Sequence, residues 1–289
     1  MKLAMDEEMQ TASAAEWQKT ISPERDRAQS RALAWMVGTL LVAVMVVELC
    51  LLPWGEMHIR WLAAVAAFSF GFALLVWKMR AATGPAAALG GVVCMNLLLV
   101  QPTAWLDTAM PALLTLFVLT FVATRFGRAK KEAMGAAETR QGRQASQVVA
   151  NLGIAGLCAA GVSAAWFAAC LAALAEAAAD TASSEMGQAL GGTTWMVTTG
   201  RRVRAGTDGG VSLMGTMFGV SAAATVTAVA VLSGAISAGT ALIVFGAGVA
   251  GLVFDSVLGA TVERRGWIGN DWVNFISTMF AAVLAYMLA

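Results

Sequence analysis

Apolar residues along this chain fall into long runs, separated by short polar breaks and by glycine and proline. A membrane-spanning helix needs roughly 20 predominantly apolar residues. Nine runs approach or reach that length: 32–53, 60–77, 85–101, 107–124, 147–161, 163–180, 212–233, 235–258 and 271–288. Gly84-Pro85, Gln101-Pro102 and Met110-Pro111 punctuate the first half. The runs 147–161 and 163–180 read either as one long bent helix or as two helices turning at Gly161. The pattern predicts an all-α, polytopic integral membrane protein of about nine transmembrane helices. Residues 1–31 form a polar N-terminal tail, and 32–289 form a single transmembrane domain. The tail mixes acids and bases, and the first apolar run is too long for the h-region of a signal peptide, so no cleavable leader is expected.

Composition agrees with a bilayer as solvent. Of 289 residues, 58% are hydrophobic and only 13% are charged, about half the charged share of a soluble domain. The formal net charge of +1 supplies no global field for nucleic acid. Cys50, Cys94, Cys158 and Cys170 all sit inside apolar runs without ligand spacing and read as packing residues.

Local charge orients the chain. Lys and Arg are retained in cytoplasmic loops. With the N-terminus inside, the tail and the loops 78–84, 125–146, 181–211 and 259–270 hold 18 of the 19 basic residues, and only Arg60 falls outside. Losing one span reverses the side of every later loop, so the count supports nine crossings with a cytoplasmic N-terminus and an outer C-terminus. Trp35, Trp54, Trp61, Trp77, Trp105, Trp166, Trp267 and Trp272 lie near the ends of the runs, where amphipathic rings prefer to sit.

Acids within or beside a span are costly and mark function. In this arrangement Asp180, Glu185, Asp255 and Asp271 all fall at cytoplasmic helix ends, which points to one site open to cytosolic nucleotides or ions. On a continuous helix Asp180 and Ser184 share a face, while Glu185 points roughly 140° away from Asp180 at 100° per residue. Both acids therefore meet only if the helix ends between them; otherwise they face different partners. Glu176 lies one turn deeper, suited either to function or to an internal hydrogen bond. The segment Gly206-Thr207-Asp208-Gly209-Gly210-Val211-Ser212 precedes a span. Its glycines let backbone N–H groups approach an anion, and the helix start that follows adds a favourable dipole. Arg201, Arg202 and Arg204 lie just upstream, and arginine favours phosphate, although the segment is not a Walker A loop.

Asp255 shares a helical face with Gly259, which leaves room beside the acid. Asn270 and Asn274 are one turn apart, and Asp271 between them also suits a simple cap. In the basic loop, Arg143, Gln147 and Asn151 approach the start of a span and are suited to a headgroup or to one another. His58, the one histidine, falls in an outer loop, which argues against a histidine-ligated zinc or a Ser-His-Asp triad at the inner face. Carboxylates without histidine or thiolate suit Mg²⁺, which accompanies phosphate substrates.

The motifs ADTASSEMG, GTDGGVS, DSVLGAT and NDWVNF, in this order and preceded by RQGRQASQVVAN, resemble the phytyl-phosphate kinase family of polytopic membrane proteins. The resemblance covers roughly 107–289. It implies phosphoryl transfer from a nucleoside triphosphate, with CTP the expected donor, to an isoprenoid monophosphate. The product is an isoprenoid diphosphate, such as phytyl diphosphate for tocopherol and quinone synthesis. On this reading Asp180, Glu185 and Asp255 are the catalytic acids and hold Mg²⁺. Gly206, Thr207, Gly209, Gly210 and Ser212, with Arg202, cradle the nucleotide phosphates. Arg143, Gln147 and Asn151 hold the acceptor phosphate, with Ser184, Asn270, Asp271 and Asn274 in support. The isoprenoid tail lies between apolar helices, and the active site faces the cytoplasm across a prokaryotic cytoplasmic membrane. The alternatives are an ion or small-solute transporter, which needs polar groups near mid-membrane, and a lipid nucleotidyltransferase releasing pyrophosphate. The sequence does not reveal an oligomeric state.

Overall fold

The computed structural model describes residues 21–51, 56–99, 105–133 and 141–289. Most of the tail, 1–20, lies outside the described residues, as does the side chain of His58. Each of the nine apolar runs becomes a helix: α1 (Pro23–Leu51), α2 (Glu56–Lys78), α3 (Gly84–Leu99), α4 (Met110–Arg125), α6 (Ala145–Cys158), α7 (Ala164–Leu190), α8 (Leu213–Leu232), α9 (Ala238–Leu258) and α10 (Asn270–Leu288). A one-and-a-half-turn helix, α5 (Arg128–Ala133), lies in the basic loop. Six of the long helices, α1, α2 and α7 to α10, have the length and apolar composition to cross a membrane. Helices α3, α4 and α6 are apolar but shorter. Trp35, Phe70, Leu232, Leu242 and Met287 are all exposed, as expected of a surface whose solvent is lipid.

Helix α7 is the centre of the molecule, packed against α4, α6, α8, α9 and α10. Its alanines from Ala168 to Ala179 are buried and let neighbouring backbones approach. Against α8 the approach is closest where small residues face each other. A Cβ on Gly219 would lie 2.8 Å from the Ala179 carbonyl oxygen, and one on Gly215 would lie 2.7 Å from that of Ser183. Without a hydrophobic drive in lipid, such contacts are what hold helices together.

One boundary settles an open alternative and three features differ from the sequence reading. The chain turns between α6 and α7 at Gly161, so the two-helix alternative holds. Ser163 caps α7 by accepting from the Trp166 N–H at 3.4 Å. Residues 23–31 are not tail but the first turns of α1. Pro23 suits a first helical position, and Glu24 and Asp26 in the first turn suit the positive end of the dipole. Helix α7 does not stop at 180 but continues to Leu190, because its polar end is enclosed by protein rather than released into water. Finally, the expected loop 181–211 holds a small antiparallel sheet, an addition to the mainly helical fold. Strands β1 (Thr194–Met196), β2 (Arg202–Val203) and β3 (Gly210–Ser212) pair in the order β2-β1-β3. The register sets Trp195 opposite both Arg202 and Val211.

Candidate active site

One polar cavity of about 260 Å³ collects residues from five parts of the chain. The start of α6 and the residue before it give Arg143, Gln147 and Asn151. The second half of α7 gives Asp180, Ser184 and Glu185. The loop into α8 gives Gly206 to Ser212, the end of α9 gives Asp255, and the start of α10 gives Asn270 and Asn274. Clusters separated by up to 131 positions in sequence thus line a single space (Arg143 to Asn274, 274 − 143).

The acids occupy distinct settings. Ser184 Oγ donates to Asp180 Oδ1 at 3.4 Å, the one-turn pairing anticipated on a continuous helix. Ser277 Oγ donates to Asp255 Oδ2 at 3.1 Å and also lies 3.0 Å from the Asn274 carbonyl. The Asp180 and Asp255 carboxylates are close enough to repel, and the Arg143 guanidinium attracts Asp180. Arg143 also donates to Thr181 Oγ1 at 3.2 Å. Glu176 lies deeper still and is 1% exposed.

A tight backbone contact presses the glycine-bearing loop onto the end of α9. Gly209, at φ +72°, abuts the Ala260 backbone, and a Cβ on Gly259 would lie 2.7 Å from the Gly209 nitrogen. The room that Gly259 leaves is therefore occupied by this loop rather than kept open beside Asp255. Beyond Leu258 the helix widens into a π-turn, Gly259–Glu263, a feature frequent at functional sites. It brings Glu263 to the cavity. Within the loop, the N–H groups of Thr207 and Gly210 are already used, donating to the carbonyls of Arg204 and Thr207. Ser212 Oγ caps α8 by accepting from the Gly215 N–H at 3.1 Å.

Several expected residues sit differently. Glu185 lines the cavity, but its carboxylate is paired with Lys131 Nζ at 2.5 Å. Helix α7 is continuous, so Glu185 stands on a different face from Asp180 and meets this separate partner, while its charge still bears on Asp180. Arg202 does not line the cavity; it is exposed on strand β2. Asp271 also lies outside the lining, accepting from Ser30 Oγ of α1 at 2.7 Å. Gln147 Oε1 accepts from the Gln144 N–H at 2.6 Å in a capping box, and Asn151 Nδ2 donates to the Gln147 carbonyl at 2.9 Å. Conversely, Glu263 and Lys131 had been given no role. The spacing of Asp255, Gly259 and Glu263 at i, i+4 and i+8 was a readable signal for Glu263.

Among the described residues no group of three or more acidic, histidine or cysteine side chains is arranged to hold a metal. That donor set still fits Mg²⁺, which uses one or two carboxylates and takes its remaining ligands from water and substrate phosphates. Asp180 and Asp255 are the pair that meets this requirement. Asp208 and Glu263 also line the cavity, whose one lining base is Arg143. Such a space suits a cation brought in with a polyphosphate.

Residues 67–282 match the family model described as integral membrane protein DUF92, so the similarity reaches further into the first half than 107–289. An uncharacterized membrane protein of Synechocystis sp. is 30% identical over 234 residues, covering 78% of this chain and 90% of that one. Protein VTE6, chloroplastic, of Arabidopsis thaliana is 29% identical over 245 residues, covering 79% and 72%. An uncharacterized membrane protein of Methanocaldococcus jannaschii is 32% identical over 188 residues, covering 61% and 74%. No solved structure matches the chain. The family resemblance carried by the ordered motifs is borne out.

Proposed function

This chain belongs to the integral membrane protein family DUF92, and for it we propose a membrane phosphotransferase that moves the γ-phosphoryl group of a nucleoside triphosphate, CTP, to an isoprenoid monophosphate. The observation that carries this reading is the cavity itself, where Asp180 and Asp255 face the Gly206–Ser212 loop with Arg143 at the side. Two polyanions have to meet there in line, and few other reactions need this mixture of acids, arginine and glycine-bearing backbone.

The acceptor needs little activation, because a phosphate monoester has its second pKa near roughly 6 and is largely a dianion at neutral pH. Its oxygen forms the new bond to the γ-phosphorus, the bond from that phosphorus to the β–γ bridging oxygen breaks, and the nucleoside diphosphate leaves. Catalysis is then positioning and charge neutralisation. Arg143, beside Asn151, binds the acceptor phosphate. The loop backbone at Gly206 and Gly209 supports the nucleotide phosphates. Asp180 and Asp255 would hold Mg²⁺, which would supply charge neutralisation for the nucleotide phosphates. Glu185 acts at one remove, holding Lys131 and with it the ends of α4 and α5.

The test uses purified protein in detergent with Mg²⁺, CTP and phytyl monophosphate, with mass spectrometry of both products. Phytyl diphosphate and CDP are expected, and both form at least about a hundredfold more slowly in Asp180→Asn. Release of pyrophosphate with a cytidylyl-lipid product shows a nucleotidyltransferase instead. No lipid product with any nucleotide, together with solute flux in liposomes, shows a transporter.

A further inference from the structure

A second cavity, apolar in character, lies between α2, α3, α4 and α6, and it shares Arg143 and Asn151 with the polar one. Helix α4 presents one continuous face to it, from Leu113 through Phe117 and Phe121 to Arg125. That face is about 18 Å long at 1.5 Å per residue. Phe117 packs on Phe121 at 5.6 Å and edge-on against Phe72 of α2 at 5.2 Å. All three rings are half-buried, so the groove is walled by aromatics and open along its flank. On the opposite wall Gly90 of α3 contributes no side chain, and a Cβ there would meet nothing within 4 Å. The floor of the groove at that point is space rather than packing.

The ends of the groove differ in chemistry. At one end the backbone of Arg143 bridges to the turn before α3: the Arg143 N–H donates to the Ala81 carbonyl at 3.0 Å, and the Thr83 N–H donates to the Arg143 carbonyl at 3.0 Å. This fixes the Arg143 main chain, and the side chain, donating to Thr181 Oγ1, lines both cavities. Arg80 lines the same end, and Arg125 lies over the Phe121 ring at 3.6 Å. The rest of the wall is mainly Phe, Leu, Val, Ala and Gly, with the hydroxyls of Thr120 and Thr124 on α4 and the amide of Asn151.

An anion site that opens directly into an apolar, laterally open groove matches an amphiphile with a phosphate head and a hydrocarbon chain. We infer that this groove binds the isoprene units adjacent to the acceptor phosphate, and that Gly90 leaves the room they occupy. The inference rests on the phosphotransferase reading for the head group, but the chain site is testable separately. Gly90 lies within α3, eight residues beyond Ala82 at the arginine end, so a side chain placed there meets the isoprenoid and not the phosphate.

Two measurements decide it. A phytyl monophosphate bearing a diazirine in its second isoprene unit is photolysed with the protein in detergent, with and without unlabelled phytyl monophosphate. Competed labelling of peptides from the four helices that line the groove, α2, α3, α4 and α6, is expected; competed labelling confined to other helices overturns the inference. In parallel, Gly90→Leu is expected to raise the KM for phytyl monophosphate at least tenfold while leaving the KM for CTP within twofold. An unchanged lipid KM in a folded Gly90→Leu protein also overturns it, and Gly90→Ala, a smaller addition, gives an intermediate rise if the groove is the chain site. If the wild type makes no phytyl diphosphate, the phosphotransferase reading fails, and the labelling pattern still reports whether the groove takes the chain.

Discussion

An ammonium group has three donors and no acceptor, and Lys131 places all three. Its Nζ donates to the carbonyls of Ala123 at 3.0 Å and Thr124 at 2.8 Å, and to Glu185 Oε2 at 2.5 Å. The two carbonyls belong to the last turn of α4, whose unpaired C-terminal oxygens attract a cation. With side-chain exposures of 1% for Lys131 and 13% for Glu185, removing one partner strands the other's charge. Lys131→Met is expected to cost about 3 kcal/mol of stability, and Lys131→Met with Glu185→Met to regain most of it. Thermal unfolding in detergent reads both. If the single variant melts with the wild type, the pair is not structural and Glu185 returns to the metal. For the acids facing the cavity, Asp180→Asn and Asp255→Asn are each expected to lower kcat by about a hundredfold or more with the fold kept; steady-state rates on folded protein decide. Asp180, Asp255, Asn270 and Asn274 were legible because acids and amides at the ends of apolar runs have no cheap structural reason to be there. Lys131 was not, because a lysine in a basic loop looks like topogenic charge, and its partner stands 54 residues away.

At the scale of elements, all nine helices could be read from hydropathy, whereas their polar ends could not. Hydropathy falls after Ala179 and suggests that a span has ended, yet α7 continues to Leu190, with Gly187 packed against Ser212 and Gly215 at the start of α8. Strands of two or three residues are too short for an alternating pattern to show. The contact between Gly209 and Gly259 is equally invisible, since it joins two segments through backbone alone. That contact positions the loop, so Gly259→Ala tests it. The new Cβ would lie 2.7 Å from the Gly209 nitrogen, and relief by shifting the loop costs about 1–3 kcal/mol. The expected result is a KM for CTP raised about tenfold, with faster amide exchange across 206–211 than in the wild type. An unchanged KM and unchanged exchange mean that the loop is held by the β1–β3 pairing alone.

For the whole molecule, the question is which helices cross. Helices α3, α4 and α6 have 16, 16 and 14 residues, or about 24, 24 and 21 Å at 1.5 Å per residue, against a hydrocarbon core of about 30 Å. Taken alone, each is short. None stands alone: α3 packs against α1, α2 and α6, while α4 and α6 pack on the central α7. Non-helical backbone at membrane depth is tolerated where protein encloses it, so a short helix inside the bundle can still complete a crossing. The basic residues argue the same way, because their one-sidedness holds only when every run changes side. The two possibilities differ in parity. Nine crossings put the termini on opposite faces, and six put them on the same face. Fusions at each end decide it: a fluorescent protein that matures only in the cytoplasm should light at the N-terminus alone, and a phosphatase active only outside should work at the C-terminus alone. The same pair of fusions fixes the side of the polar cavity. Its residues come from the start of α6, the end of α9 and the start of α10, and these lie on the N-terminal side when α3, α4 and α6 all cross, whereas with none of the three crossing the ends of α7 and α9 and the start of α10 lie on the far side. A C-terminus found in the cytoplasm breaks that parity, and with it the argument for a cavity facing cytosolic CTP.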